Sequence, residues 1–281
     1  MTERLSGKVA MVTGCGGERG VGRAIARRLA ADGADLVLTD IAPGGTRVVD
    51  TKPASGWGGL DAVAMEVRAA GQRALVALLD VRSASQIDVV IAQALQRLGR
   101  IDILVNNAAA PPGADRVPVV QLSEEAWDAV LDVNLKGSFL CAKAAATVMI
   151  RQKIRGRIIN IGSDNSKRGQ ANLAAYCASK FGLLGFTQAL AIELAPAGIT
   201  VNTICPGPMD TERVDYFGRR PDGGYDPSQR AERIRQLSAE VPLGRLASPE
   251  DVAEVAAFLA SDAAECITGQ AINVAGGAIM H

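Results

Sequence analysis

Short, continuous apolar runs alternate with stretches of helical spacing almost to the end of the chain. Lys8 to Thr13 is an apolar run closed by a glycine cluster, and Val21 to Asp32 then carries apolar residues at helical intervals. Ala34 to Thr39 predicts a second strand. Leu60 to Ala70 predicts a helix, because Leu60, Val63, Ala64 and Val67 fall on one face. The same alternation continues through a strand at Ala74 to Leu79 and a helix at Ser85 to Leu98, capped by Ser83 or Ser85. Ile101 to Val105 is a fourth strand, apolar and buried in pattern. Ser123 then opens a long helix with acids in its first turn, which suits the helix dipole. Beyond it come a strand (Arg157 to Ile161), a helix (Ala174 to Ala195), a strand (Gly198 to Ile204), a helix (Pro249 to Ala260) and a last strand (Gln270 to Val274).

Strands that are apolar throughout are buried on both faces, the mark of a parallel sheet covered by helices. Right-handed crossovers wind such a sheet in both directions, so the expected fold is α/β, a Rossmann-type doubly wound parallel sheet with helices on both faces. With no internal repeat and no linker, one domain is expected over residues 1–281. Two stretches break the rhythm. Residues 41–59 are rich in glycine, carry two prolines and read as a loop insertion after the second strand. Residues 207–240 hold six arginines and seven acids, with Tyr216, Phe217 and Tyr225 among them. Their place after a strand C-terminus, where ligands bind in such sheets, reads as a substrate lid.

Composition narrows the chemistry. Thirty basic and thirty acidic side chains balance, which removes the electrostatic footprint of a nucleic-acid binder. No apolar run approaches the ~20 residues that cross a bilayer, and the N-terminus lacks a signal-peptide pattern. No membrane partner is therefore expected. The only histidine is His281, the last residue, so histidine-based acid–base, hydrolytic and metal chemistry are disfavoured. Cys15, Cys141, Cys177, Cys205 and Cys266 are odd in number and widely spaced, which points to reduced thiols, no metal and a cytoplasmic location.

The first strand runs into Thr13-Gly14-Cys15-Gly16-Gly17-Glu18-Arg19-Gly20-Val21-Gly22. Glycines allow a tight turn and close backbone approach to a pyrophosphate, and the helix that follows offers N–H donors and a favourable dipole. Asp40 ends the second strand about 20 residues beyond, where a carboxylate accepts from adenosine ribose hydroxyls and repels a 2′-phosphate. That favours NAD over NADP. Arg19 and Arg23 are the opposing signal, since a guanidinium pairs with phosphate.

Tyr176 and Lys180 share a helix face at i and i+4. An ammonium beside a phenol stabilises the phenolate, so this pair supplies the acid–base function that histidine cannot. Around it stand Ser163 at the end of a strand, Asn106-Asn107-Ala108-Ala109 after another, Asn134 in the long helix, and Pro206-Gly207. Together with Asp80-Val81, Thr211 and the closing Thr268-Gly269-Gln270 and Gly276-Gly277, these residues make the whole chain resemble the short-chain dehydrogenase/reductase family, in its typical single-domain branch.

The resemblance implies roles. Tyr176 is expected to be the general acid/base, and Lys180 to tune it and bind the nicotinamide ribose. Ser163 is expected to bond the substrate oxygen, and Asn134 to hold a water in a proton relay to Lys180. Gly14, Arg19, Gly20, Val21 and Gly22 would form the cofactor turn. Asp40 would meet the ribose, Asp80 and Val81 the adenine, and Asn107 the adenosine side. Pro206, Gly207, Met209 and Thr211 would lie along the nicotinamide. A homotetramer is implied as well.

Two departures stand out. Five residues separate Gly14 from Gly20, a longer turn than the branch usually has and closer to that of the enoyl-reductase branch. The Tyr–Lys spacing, however, is that of carbonyl and alcohol enzymes. Asp164-Asn165-Ser166-Lys167-Arg168 is also unusually polar for a substrate-side segment and suggests a polar substrate such as a sugar, polyol or hydroxy acid. The expected function is NAD(H)-dependent interconversion of a secondary alcohol and a ketone. Its alternatives are an NADPH-dependent 3-oxoacyl-thioester reductase and a non-catalytic dinucleotide-binding sensor.

Overall fold

The computed structural model describes residues 4–46, 56–220, 222 and 224–281. Seven strands form one parallel sheet: β1 (Val9–Thr13), β2 (Asp35–Asp40), β3 (Ala74–Leu78), β4 (Ile103–Asn106), β5 (Arg157–Ile161), β6 (Thr200–Pro206) and β7 (Ala271–Val274). Their order is β3-β2-β1-β4-β5-β6-β7. The helices are α1 (Val21–Ala31), α2 (Leu60–Ala69), α3 (Ala84–Leu98), α4 (Glu124–Leu131), α5 (Gly137–Arg151), α6 (Ala174–Leu194), α7 (Pro227–Glu240) and α8 (Pro249–Ala260). This is the doubly wound α/β sheet that the sequence pattern implied.

The side-chain alternation of a strand explains why the runs are apolar throughout. In β1, Ala10 and Val12 enter a core with α1, α2 and α8, whereas Val9 and Met11 enter a second core with α3, α5 and α6. In β2, Leu36 and Leu38 join the first and Val37 the second. The edge strands β3 and β7 are the more exposed, while in β2 Asp35 alone is partly exposed. Val12 pairs with Leu38 on one side and Val105 on the other, so β1 and β4 form the point where the winding reverses. A crevice opens there beyond the strand C-termini. A buried polar chain ties those ends together. Asn106 Nδ2 donates to Asn160 Oδ1 (2.9 Å), Asn160 Nδ2 to Thr187 Oγ1 (2.8 Å), and Thr187 and Thr203 share a hydrogen bond of 2.7 Å.

Three regions differ from the sequence reading. The helix opened by the Ser123 cap is continuous from Glu124 to Arg151, but residues Asp132–Lys136 form a π turn between α4 and α5. By length and composition this helix suffices to cross a bilayer, which corrects the expectation that no such segment exists. Half of its most apolar stretch is buried, with Cys141, Ala142, Ala145 and Met149 packed into the core. In the stretch 207–240, Glu212–Gly218 forms a short 3₁₀ segment, and Asp226 caps α7 by accepting from the Ser228 and Gln229 N–H groups. Finally, residues 47–55 of the loop insertion lie outside the described residues. Its flanks fold onto the glycine turn: Leu60 N–H donates to Pro43 O (2.7 Å) and Trp57 Nε1–H to Gly16 O (2.8 Å).

Candidate active site

The crevice at the C-terminal edge of the sheet holds a cavity of about 890 Å³. One end is the glycine turn. Gly14 has φ +70°, and a Cβ there would meet Ala108 Cα at 2.8 Å, so only glycine lets β1 turn beside the β4 loop. At Gly22 a Cβ would lie 2.5 Å from Gly14 O, so this glycine serves helix–strand packing rather than the cavity. Gly20 is the N-cap of α1 and no side chain caps it. The free N–H donors of that helix start therefore lie beside Gly14, Gly17, Gly20 and Val21, all of which line the cavity.

The extra turn residues have a structural purpose. Gly16 N–H donates to Asp40 Oδ2 (2.9 Å), and Ile41 N–H to Asp40 Oδ1 (2.8 Å). Asp40 is buried at the end of β2 and still lines the cavity; burial pushes its carboxyl above the usual range, and these N–H bonds oppose that. Asp80 and Val81 line the same end, with the Asp80 carboxylate paired to Arg82 at 2.7 Å, which lowers its pKa. Asn107 also lines the cavity, but its Nδ2 donates to Thr13 O (2.8 Å) and Gly14 O (2.7 Å), bracing the turn.

The sequence offered Arg19 and Arg23 to cofactor phosphates, and the structure engages both elsewhere. The Arg19 guanidinium pairs with Asp215 (2.8 Å) and Asp210 (3.3 Å), and the Arg19 main-chain N–H donates to Glu212. Arg230 of α7 pairs with the same two aspartates. The residue thus clasps the lid to the glycine turn, and it is absent from the cavity lining. Arg23 pairs with Glu66 (Nε to Oε2, 3.1 Å) and stacks on Trp57 at 4.4 Å.

Tyr176, Lys180 and Ser163 converge at the other end. Lys180 Nζ donates to Ile161 O (2.7 Å) and lies 5.9 Å from the Tyr176 ring centre. Burial, and then the Arg213 charge, pulls its ammonium down to about 7. Ser163 lies two residues beyond the end of β5 and caps the 3₁₀ turn Asp164–Ser166. Its Oγ donates to Asp164 Oδ1 (2.9 Å) and accepts from Asn165 N–H (3.1 Å), while Arg168 holds the other Asp164 oxygen at 2.6 Å. Asn134 sits in the π turn, buried and off the cavity. Its Oδ1 accepts from Ala110 N–H (2.8 Å), and its Nδ2 donates to Ser179 Oγ (3.0 Å). Ser179 Oγ–H in turn donates to Tyr176 O (2.8 Å). Asn134 therefore fixes the helical turn that carries Tyr176. Pro206, Gly207, Met209 and Thr211 line the floor between the two ends. His281 is exposed at the rim of β7, its carbonyl accepting from Asn273 Nδ2 (3.3 Å).

This layout joins a dinucleotide-shaped cleft to a Tyr–Lys–Ser cluster on one connected surface, and the comparisons with known proteins agree with it. A family model described as enoyl-(acyl carrier protein) reductase matches residues 14–279. The chain belongs to the short-chain dehydrogenase/reductase family. It is 36% identical to a sorbitol dehydrogenase of Cereibacter sphaeroides, with 98% of each chain covered. It is 39% identical to a 3-oxoacyl-[acyl-carrier-protein] reductase of Synechocystis, again over 98% of each. Among solved structures, carveol dehydrogenase from Mycobacterium avium in complex with NAD superposes with a TM-score of 0.85 at 28% identity, covering 98% of both chains. As a short-chain dehydrogenase/reductase, the protein is an oxidoreductase acting on small molecules.

Two residues that the family motifs do not mark stand beside the Tyr–Lys–Ser cluster. Arg116, in the loop after β4, and Arg213, at the start of the lid, hold their guanidinium carbons 5.2 and 5.4 Å from the Tyr176 ring centre. Sequence reasoning missed them because loop arginines carry no periodic signal. Only their nearness in sequence to Asn107 and Thr211 pointed towards the site.

Proposed function

We propose that this short-chain dehydrogenase/reductase interconverts a secondary alcohol and a ketone with NAD(H), using Tyr176 as the general acid/base. The observation that carries the reading is the meeting of Tyr176, Lys180 and Ser163 in the cavity that begins at the uncapped start of α1. Gly14, Gly20 and Val21 would hold the pyrophosphate, Asp40 the ribose, and Asp80 and Val81 the adenine. Bound NAD supplies the hydride acceptor. Tyr176, as phenolate, takes the substrate hydroxyl proton in oxidation and returns it in reduction. Lys180, its ammonium pulled down to about 7 by burial and the Arg213 charge, carries positive charge beside that phenolate below this pH and gives up a proton above it. Ser163 turns its hydroxyl from Asp164 to the substrate oxygen and stabilises negative charge there. Asn134 keeps Tyr176 in place through Ser179. With its side chain so engaged, its main-chain carbonyl, which also accepts from Ser138 (2.8 Å), is the group left to hold a relay water.

The preference for NAD rests on the Asp40 carboxylate at the cavity wall and on the engagement of Arg19 and Arg23 with other partners. The NAD-bound carveol dehydrogenase supports it, and the sorbitol dehydrogenase supports a polar substrate. The second reading, an NADPH-dependent 3-oxoacyl-thioester reductase, is favoured by the Synechocystis relative. A homotetramer accords with exposed Phe139 and Phe181 on α5 and α6, and a cytoplasmic location with five free cysteines. The test is a panel of alcohols and ketones with NAD(H) and NADP(H), following absorbance of the reduced nicotinamide. Turnover of secondary alcohols with NAD supports the reading. Turnover confined to 3-oxoacyl thioesters with NADPH replaces it with the second.

A further inference from the structure

We infer that Arg116 and Arg213 form an anion site beside Tyr176, and that the substrate is a short hydroxy acid, or the corresponding oxo acid, whose carboxylate this pair binds. The inference rests on the oxidoreductase reading above and names the substrate class of that same site.

The two guanidiniums approach the Tyr176 ring from different elements, the β4 loop and the lid, and both line the cavity. Two like charges facing one cleft repel, and an anion between them relieves that repulsion. Their existing bonds leave that role open. Arg213 Nη1 donates to the main-chain oxygen of Ala110 (2.8 Å), which orients the fork without neutralising it. Among the described residues no carboxylate pairs with Arg213. Arg116 has one acidic neighbour: its Nε lies 3.4 Å from Asp115 Oδ2, an ion pair without hydrogen-bond geometry, and that buried Nε makes no hydrogen bond. A buried guanidinium donor that makes no hydrogen bond is costly. It is met when a carboxylate accepts from the fork, the bidentate geometry for which arginine is suited. The other cavity arginine near Ser163, Arg168, is already held by Asp164, so it does not compete for the ligand.

Position sets the size of the substrate. The guanidiniums flank the same ring whose hydroxyl meets the reacting oxygen, so the carboxylate sits close to the carbinol carbon. An α- or β-hydroxy acid fits this spacing, while a long-chain acid with a remote carboxylate does not. Binding the carboxylate from two sides would also draw the lid, through Arg213, onto the β4 loop.

The test compares a β-hydroxy acid, such as 3-hydroxybutyrate, with its methyl ester in wild-type protein and in Arg213→Gln, Arg213→Lys and Arg116→Gln. A second measurement needs no turnover: calorimetric binding of malonate to the wild-type and variant proteins saturated with NADH. Wild-type kcat/KM should favour the acid, and each Gln variant should lower the acid-to-ester ratio about ten- to a hundredfold, mostly through KM, as loss of a charge-assisted bond implies. Arg213→Lys should restore part of it. Malonate should bind wild type and be lost in both Gln variants. An unchanged acid-to-ester ratio would mean that the arginines only tune Tyr176, and it overturns the site. So does equal malonate binding by wild type and variants, or a loss of NADH affinity in the Gln variants, which would assign the guanidiniums to the cofactor. Malonate binding that depends on both arginines, in a protein that turns over no alcohol, would leave the anion site standing and remove the oxidoreductase reading.

Discussion

Lys180 permits a test of the site that requires no substrate. Its ammonium is pulled from the ordinary 10.5 to about 7, first by burial and then by Arg213. In the unfolded chain the same group keeps its ordinary value. Between about 7 and 10.5 the unfolded state therefore binds more protons, and stability rises with pH across that window. At ~1.4 kcal/mol per pKa unit, the full span is worth ~5 kcal/mol. Replacing Lys180 with Met removes this titration but also takes the donor from Ile161 O, which costs ~1–3 kcal/mol. Lys180→Met should thus be more stable than wild type by ~2–4 kcal/mol below about pH 7, with the difference changing sign between about pH 8 and pH 10. Urea denaturation of the cofactor-free proteins, followed by circular dichroism across this range, measures it. The difference between the two curves isolates Lys180 from other titrating groups. Curves that run parallel over the whole window would refute the placement of a depressed lysine in the site.

The remaining predictions concern the cofactor end. Asp40→Asn should lower the NAD-to-NADP ratio of kcat/KM by about tenfold or more, since a close carboxylate no longer repels the 2′-phosphate; an unchanged ratio would separate Asp40 from cofactor choice. Arg19→Gln should change the NADH dissociation constant by less than about threefold, because its exposed ion pairs hold the lid and are worth ~1 kcal/mol or less. It should, however, speed limited proteolysis within 207–240; a tenfold loss of NADH affinity would instead place Arg19 on the pyrophosphate. Trp57→Ala removes the bond to Gly16 O and the Arg23 stack, so it should raise the NADH dissociation constant several-fold. Equal affinity in a titration by fluorescence transfer would leave Trp57 with packing alone.

The parallel sheet was legible because each central strand is buried on both faces. Val9 to Val12 feed two cores in alternation, and that leaves a continuous apolar run in the sequence. Helix α7 was not legible for the converse reason. None of its residues is buried, so hydrophobic periodicity cannot reveal it, although Asp226-Pro227 is a helix-start signal. The π turn at Asp132–Lys136 left no trace either, since it interrupts hydrogen bonding without a proline or glycine inside it. Tyr176, Lys180 and Ser163 were readable from spacing and family motif. The engagement of Arg19 was not, because its partners Asp210 and Asp215 lie about 190 residues away and meet it only through the fold. Asn134 was singled out by the family resemblance, but its bonds to Ala110 and Ser179 were not legible, because they depend on a loop and a helix that no local pattern connects.

The central claim is that Tyr176 moves the proton while other residues hold the cofactor. Tyr176→Phe removes one hydroxyl from a half-buried ring and leaves the glycine turn, Asp40 and Lys180 in place. The decisive measurement is its turnover of the best secondary alcohol together with its NADH dissociation constant. The account predicts a fall in kcat of about 10²–10⁴-fold or more, the range of general acid–base catalysis, with NADH affinity within about threefold of wild type. Retained turnover, or turnover and NADH affinity lost to the same degree, would contradict it.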